Sequence, residues 1–290
     1  MNRYETDDIY IVAEIGQNHN GELKLAKELI DDAYLAGCSA IKTAKRDLKY
    51  ELSDKAYKRI YDSPNAFART YGKHREFLEL SFEDHKFLKR YANNRKMDYF
   101  LSVCDIPSLE FAMELDCPLI KVPSKEINNI PLLEAISICG KPVAFSIGLA
   151  TKDEVEDAML RFISSDTIMV ITTSMYPTYL DNINLNRLKV YPTWKKGFSC
   201  HNPNPVLGVA AVVMGAKYIE FHITLDREMK GSDQICSLEV DDFAFMVNSI
   251  NDIQIALGSE TIPEKLPRYL DSTKKKLRKE IDEDGVYRIL

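Results

Sequence analysis

A lysine is seldom buried without a partner, so a lysine inside a short apolar run marks a charge that something must satisfy. Lys42, in AIKT, and Lys121, in LIKV, are two such residues. If both runs are strands of one sheet, their ammonium groups converge on one mouth. A phosphate would satisfy both, with serine hydroxyls and backbone N–H groups filling its remaining lone pairs. Internal ion pairs with Glu14 and Glu126 would satisfy them equally well. His201 and His222 end two neighbouring runs, FSCH and YIEFH. Two imidazoles at adjacent strand ends could share a metal, with a carboxylate and water completing its shell. Their spacing alone is no metal signature, and each could instead be a hydrogen-bonded structural residue. His19, in NHNG, reads as a turn residue or as a polar contact in the first loop. Tyr176, before Pro177, reads as a loop anchor or a substrate contact. His74 and His85 fall in helical surface stretches and receive no role.

Strands and helices alternate around these residues. Apolar runs predict strands at 9–15, 40–43, 98–103, 118–122, 143–147, 167–173, 196–199 and 217–222. Helical spacing fits 23–35, 81–94, 107–115, 130–139, 151–163, 184–190, 205–214 and 240–257. Thr151 followed by Glu154 has the pattern of a capping box. Eight strands, each followed by helix, predict parallel pairing with right-handed crossovers, hence a (β/α)8 TIM barrel. An open doubly wound sheet shares the alternation. In a barrel, functional side chains sit at the C-terminal strand ends. Those ends carry Glu14, Lys42, Ser102, Asp105, Lys121, Ser124, Glu126, Ser146, Tyr176, Ser199, His201, Glu220, His222 and Asp233. Residues 46–80 interrupt the alternation with a long charged excursion.

The chain has 290 residues, 45% of them hydrophobic and 28% charged, enough for one large core. Residues 1–262 read as the barrel, and 263–290 as a charged tail or docking helix. A net charge of -6, with no basic face before that tail, argues against nucleic acid. No apolar run reaches the roughly 18 residues of a membrane span. The acidic start, Met1 to Asp8, is wrong for a signal peptide, so a cytoplasmic location is expected. The six scattered cysteines form no CxxC pair and read as free, mostly buried thiols.

Seven segments together resemble the sialic acid synthase family, which includes N-acetylneuraminate, legionaminate and pseudaminate synthases. They are AEIGQNHNG (13–21), IKTAKRDL (41–48), KVPSKEINN (121–129), SIGLAT (146–151), TTSMYPTYLDNINL (172–185), SCHNP (199–203) and EFHITLDREMKGSDQICSLE (220–239). YGKHREFLEL (71–80) adds to the resemblance, which covers about residues 9–258. It implies a barrel that condenses phosphoenolpyruvate with an amino-sugar aldehyde resembling N-acetylmannosamine, giving a nonulosonic acid and phosphate. It also implies a divalent metal, usually manganese, with magnesium or cobalt as alternatives. By motif, His201 and His222 match the metal-binding histidines. Lys42, Lys121, Ser124, Ser146, Tyr176 and Ser199 match contacts to phosphoenolpyruvate. Glu14, Glu126, Glu220 and Asp233 match the acidic residues at the reacting centre, with Glu126 the choice for activating water.

Several positions depart from the family pattern. Thr43 and Ala44 stand where an aromatic or histidine and a glutamine are usual. Pro123 and Lys125 replace glycines, and Val103 replaces a hydroxyl residue. Asn202, Phe221 and Gln234 replace an acidic residue or threonine, a basic residue and a histidine. The family's C-terminal antifreeze-like domain, which lends an arginine to the partner subunit, is not expected within this sequence. The acceptor site would then be completed by another chain carrying that domain, or by Lys and Arg of the excursion. A homodimer through the barrel helices is the other partner expected. Two further functions remain open on the same barrel. One is an aldolase or lyase using Lys42 or Lys121 as a Schiff base. The other is a non-catalytic relative that serves as a binding partner.

Overall fold

A computed structural model describes residues 9–163, 166–258 and 261–289. Eight parallel strands close on themselves in the order β1 to β8: Tyr10–Gly16, Ala40–Lys45, Asp98–Val103, Ile120–Val122, Val143–Ser146, Thr167–Ile171, Lys195–Cys200 and Tyr218–His222. The fold is the (β/α)8 barrel. The helices are α1 (Leu23–Leu35), α2 (Leu48–Glu51), α3 (Asp54–Lys58), α4 (Tyr71–Leu78), α5 (Phe82–Asn93), α6 (Ile106–Glu114), α7 (Ile130–Ser137), α8 (Lys152–Arg161), α9 (Val206–Val213), α10 (Val240–Leu257) and α11 (Arg268–Leu277). None is long and apolar enough to cross a membrane.

Strand alternation sorts the side chains. On β1, Ala13 and Ile15 face the helices, while Tyr10, Val12 and Glu14 face inward. Their partners on β8 are Tyr218, Glu220 and His222, in register. The barrel floor is aromatic: the Tyr10 ring lies 6.1 Å from Tyr218 and 6.4 Å from Phe100. Gly197 of β7 sits opposite Tyr218. A Cβ there would come within 2.8 Å of the Tyr218 ring, so glycine makes room for the floor. The upper layers are polar, which is where the outward/inward division matters for function.

Local chemistry sets the helix starts. Ser81 with Asp84, and Thr151 with Glu154, form full capping boxes on α5 and α8. Asp105 caps α6 through the Ser108 N–H at 2.8 Å, so this rim residue is a structural cap. The expected helix at 184–190 is not an α-helix. Asn184 takes a left-handed φ of 51°, and Pro192 follows Tyr191, leaving room only for a 3-10 turn at Leu185–Lys189. The unit after β6 therefore lacks an α-helix among the described residues. His74 and His85 also differ from expectation, since both are buried. His74 packs its ring 4.5 Å from Tyr61, and His85 meets the Tyr99 hydroxyl at 2.8 Å. Each lies on the inner face of an amphipathic helix. None of the six cysteines is in a disulfide, and five are buried.

The excursion folds into α2, α3 and α4. The described chain forms two compact units, one through Ile253 and one from Gln254 onward. In the second, α11 precedes an antiparallel hairpin of β9 (Lys279–Ile281) and β10 (Tyr287–Ile289).

The Gly197–Tyr218 contact is testable. Gly197→Ala overpacks the floor and should destabilise the fold by about 1–3 kcal/mol. A urea midpoint unchanged from wild type would show that the floor has slack.

Candidate active site at the barrel mouth

The C-terminal strand ends open into a cavity of about 420 Å³. Inward positions of seven strands supply Glu14, Lys42, Ser102, Lys121, Ser146, Ser199, Glu220 and His222 to its wall, and the following loops add Gln17, Ser124, Tyr176, His201 and Asp233. Of the strand-end residues singled out from sequence, all line this cavity except Asp105, which caps α6, and Glu126. The Glu126 carboxylate is buried beside the mouth, where it accepts a hydrogen bond from Asn129 at 2.8 Å and pairs with Lys125 at 3.2 Å.

Four buried charges make up the inner wall. Lys42 Nζ lies 2.6 Å from Glu14 and 3.6 Å from Glu220, and donates to Ser102 at 2.9 Å. Lys121 donates to Ser146 at 2.5 Å. Glu220 accepts from Ser199 at 2.9 Å and from the Tyr218 hydroxyl. Lys42 thus has the internal pair with Glu14 that its placement allowed, while Glu126 is no partner of Lys121. Burial opposes charge on all four groups, but the cluster divides the cost unevenly. Burial would raise Glu220, yet Lys121, Lys42 and its two hydroxyl donors hold it far below the usual carboxylate range. Burial raises Glu14 to about 7 against the pull of Lys42. Burial would lower Lys42, but Glu14 and Glu220 outweigh it and raise it. Lys121 has no such close acid, and burial brings it down to about 8.

The two histidines meet on the opposite side. Their ring centroids are 5.4 Å apart, and Tyr176 stacks on His201 at 4.1 Å. The Nδ1–H of His201 can donate to the Thr173 carbonyl at 2.9 Å, which frees Nε2 as a lone-pair donor. His222 Nδ1 is buried without a hydrogen-bond partner and lies 4.0 Å from Asp233. Burial lowers both imidazoles, His222 to about 4, so both are neutral at pH 7 as ligands must be. Gly16, with φ 55°, leaves this edge open, since a Cβ would stand 3.1 Å from His222 and Glu14. An unpaired buried nitrogen, two neutral imidazoles and an adjacent carboxylate fit a divalent cation. Among the described residues, the group whose possible ligand atoms all lie within 4.8 Å of one another is a different one, Glu51, Cys104 and Glu126. Arg46 and Lys125 already pair with those glutamates, and burial raises the Cys104 thiol, so it reads as an ion-pair net. His19 is a buried turn residue whose Nδ1 accepts from Gly21.

Comparison with known proteins shows the family. The NeuB family pattern matches residues 29–262. The chain belongs to the NeuB family. This NeuB family member is 36% identical over 258 residues to the human N-acetylneuraminate-9-phosphate synthase, covering 87% of this chain and 72% of that protein. It is 32% identical to N,N'-diacetyllegionaminic acid synthase of Legionella pneumophila, covering 86% and 73%. The solved N-acetylneuraminic acid (sialic acid) synthetase of Leptospira borgpetersenii superposes with a TM-score of 0.77 at 27% identity, covering 93% of each chain. As a NeuB family member the chain is an enzyme of the synthase class.

Ser102, Gln17, Arg46 and Arg75 also line the mouth. Ser102 was visible at a strand end, but nothing in the spacing separated it from other serines. Arg75 sits far along the excursion, and only folding brings it in.

Removing one charge from the inner wall should expose the dependence of the others. Glu220→Gln removes the ionised carboxylate that pairs with Lys42 at 3.6 Å and offsets both buried lysines, and should cost about 3–5 kcal/mol. A urea midpoint equal to wild type would show that the lysines do not need it.

Proposed function

We propose that this chain condenses phosphoenolpyruvate with the open-chain aldehyde of an N-acetylmannosamine-like sugar, giving a nonulosonic acid and phosphate. The observation that carries this reading is the pairing, in one mouth, of two neutral histidines with two buried lysines. Names of relatives support the product class, since they include synthases of N-acetylneuraminate-9-phosphate and of N,N'-diacetyllegionaminic acid.

Phosphoenolpyruvate is a compact polyanion, and Lys42 and Lys121 would hold its charge, with Ser124, Ser146 and Ser199 donating to its oxygens. Gly148 N–H donates to Ser124 Oγ at 3.1 Å, which orients that hydroxyl. Tyr176 walls the mouth beside His201. C3 of phosphoenolpyruvate forms a bond to the aldehyde carbon, and the aldehyde oxygen takes a proton. Positive character at C2 is met by water. Phosphate then leaves with cleavage of its C–O bond, and the 2-keto acid remains. The divalent ion that His201 and His222 would hold, manganese in our reading, supplies Lewis acidity to the aldehyde oxygen. Asp233 would orient a water or the acceptor beside that ion.

Activation of the attacking water falls to Glu14 rather than Glu126. Glu14 lines the mouth and Glu126 does not. A carboxylate raised to about 7 is also matched to a base that works near neutral pH. Glu220 stays ionised and balances the lysines.

Purified protein given phosphoenolpyruvate, N-acetylmannosamine or its 6-phosphate, and Mn2+ should release inorganic phosphate. EDTA should stop the release, and His201→Ala and His222→Ala should each abolish it. Absence of phosphate release with either sugar under Mn2+, Mg2+ and Co2+ would sink the reading.

The lysine that binds phosphate also sets an alkaline limit. Lys121 is a cation below its lowered pKa and loses its charge as pH rises through about 8. The KM for phosphoenolpyruvate should therefore climb above about pH 8, and Lys121→Arg should move that limb upward. A flat KM from pH 7 to 9.5 would contradict the assignment. A lowered lysine pKa also suits a Schiff base. Treatment with pyruvate and borohydride should leave the chain unmodified; a trapped adduct on Lys121 would favour the aldolase reading.

A further inference from the structure

The excursion reaches the metal-facing edge of the mouth through one chain of hydrogen bonds. On α4, Arg75 Nη1 donates to Gln17 Oε1 at 2.6 Å. An amide oxygen so engaged turns the Gln17 NH2 group the other way. That group donates to Ser232 Oγ at 2.7 Å and to Asp233 Oδ1 at 3.2 Å. Ser232 donates to the same Oδ1 at 2.7 Å. With Oδ1 occupied twice, Oδ2 is the oxygen that faces His222, 4.0 Å from Nδ1.

Arg75 is itself well placed to act as an anchor. Its Nε donates to the Tyr71 hydroxyl at 3.1 Å, and its guanidinium lies 5.3 Å from the Tyr71 ring centre. Thr70 caps the helix that carries both residues, and His74 one position back packs among Tyr61, Phe67 and Tyr71. The guanidinium thus starts from a rigid base.

We infer that Arg75 is a positioning residue which, through Gln17, fixes the orientation of Asp233 toward the His201–His222 pair. The inference rests on the proposed metal role of that pair. Sequence spacing hides it, because Arg75 lies on α4 while Gln17 and Asp233 lie in the loops after β1 and β8. It also gives the excursion a part in the site: its packing decides which carboxylate oxygen is presented at the centre.

Binding of Mn2+ alone, followed by the electron paramagnetic resonance signal of the free ion, tests the relay without requiring turnover. Losing an outer partner of a metal site weakens binding about 10–100-fold. Arg75→Ala and Gln17→Ala should each weaken Mn2+ binding about tenfold. The double variant should be no weaker than Gln17→Ala alone, since both act along one path. Arg75→Lys should recover part of the loss. Losses that multiply in the double variant, or a fall in melting temperature with unchanged Mn2+ affinity, would overturn the relay and leave the proposed reaction standing. A wild-type chain without affinity for Mn2+ would overturn both. With normal Mn2+ binding, the expected coupling and no phosphate release, the relay would stand and the reaction would fall.

Discussion

Buried charge is the constraint on which the rest of this structure depends. Lys42, Lys121, Glu14 and Glu220 lie inside a closed barrel, where an isolated ion is prohibitively costly. They persist because strand register sets partners side by side: Lys42 opposite Glu14, and the Ser199 hydroxyl opposite Glu220. The floor beneath is aromatic and admits no polar group without a partner; even Tyr10 sends its hydroxyl to Asp98 at 2.8 Å. Polar groups are thereby confined to the upper layers, and the upper layers become the mouth.

That arrangement leaves the wall close to neutral before any ligand arrives, with two cations against two acids. The acids are unequal. Glu220 is tied down by two hydroxyls and both lysines, while Glu14 is the carboxyl that gains a proton most readily. Such a division of roles between neighbouring carboxylates is what acid–base chemistry at neutral pH requires. Across the mouth, Tyr176 and the two imidazoles form a less charged wall with one unpaired nitrogen. The site is therefore polarised: paired buried charges on one side and neutral imidazoles with an unpaired nitrogen on the other.

Most departures from the family pattern fall outside this polarised region. Phe221 faces outward and packs 6.2 Å from Phe198. Gln234 donates to the Asn18 carbonyl at 3.2 Å, holding the loop after β8 to the loop after β1. Asn202 donates to the Thr178 carbonyl at 2.7 Å. Thr43 binds Tyr99 at 2.9 Å beneath the α5 helix. Ala44, Pro123 and Lys125 do line the mouth. Lys125 bridges Glu51 of α2 and Glu126, tying the excursion to the loop after β4. These three departures lie at the rim of the mouth, next to the paired charges of the inner wall.

The alternation of apolar runs and helical patterns was legible in sequence because each strand must bury one face against a helix, and the period of two is local. So were the strand-end residues Glu14, Lys42, Lys121, Ser146, Ser199, Glu220 and His222, since a polar residue in such a run has few places to go. The 3-10 turn after β6 was not legible, because a left-handed Asn184 is invisible in a residue pattern. The burial of His74 and His85 depended on which helix face turned inward, and that is decided by tertiary packing. Glu126 shared a motif with Ser124, yet a 3-10 turn at 124–126 sends Ser124 to the mouth and Glu126 away from it. Which lysine keeps its charge, which carboxylate gives way and which oxygen of Asp233 meets His222 depend on distances of a few ångströms between residues as far as 216 positions apart. Sequence determined the identities of those groups and the strands that carry them. Only closure of the barrel decided their separations, and in a medium of low dielectric it is separation that sets charge.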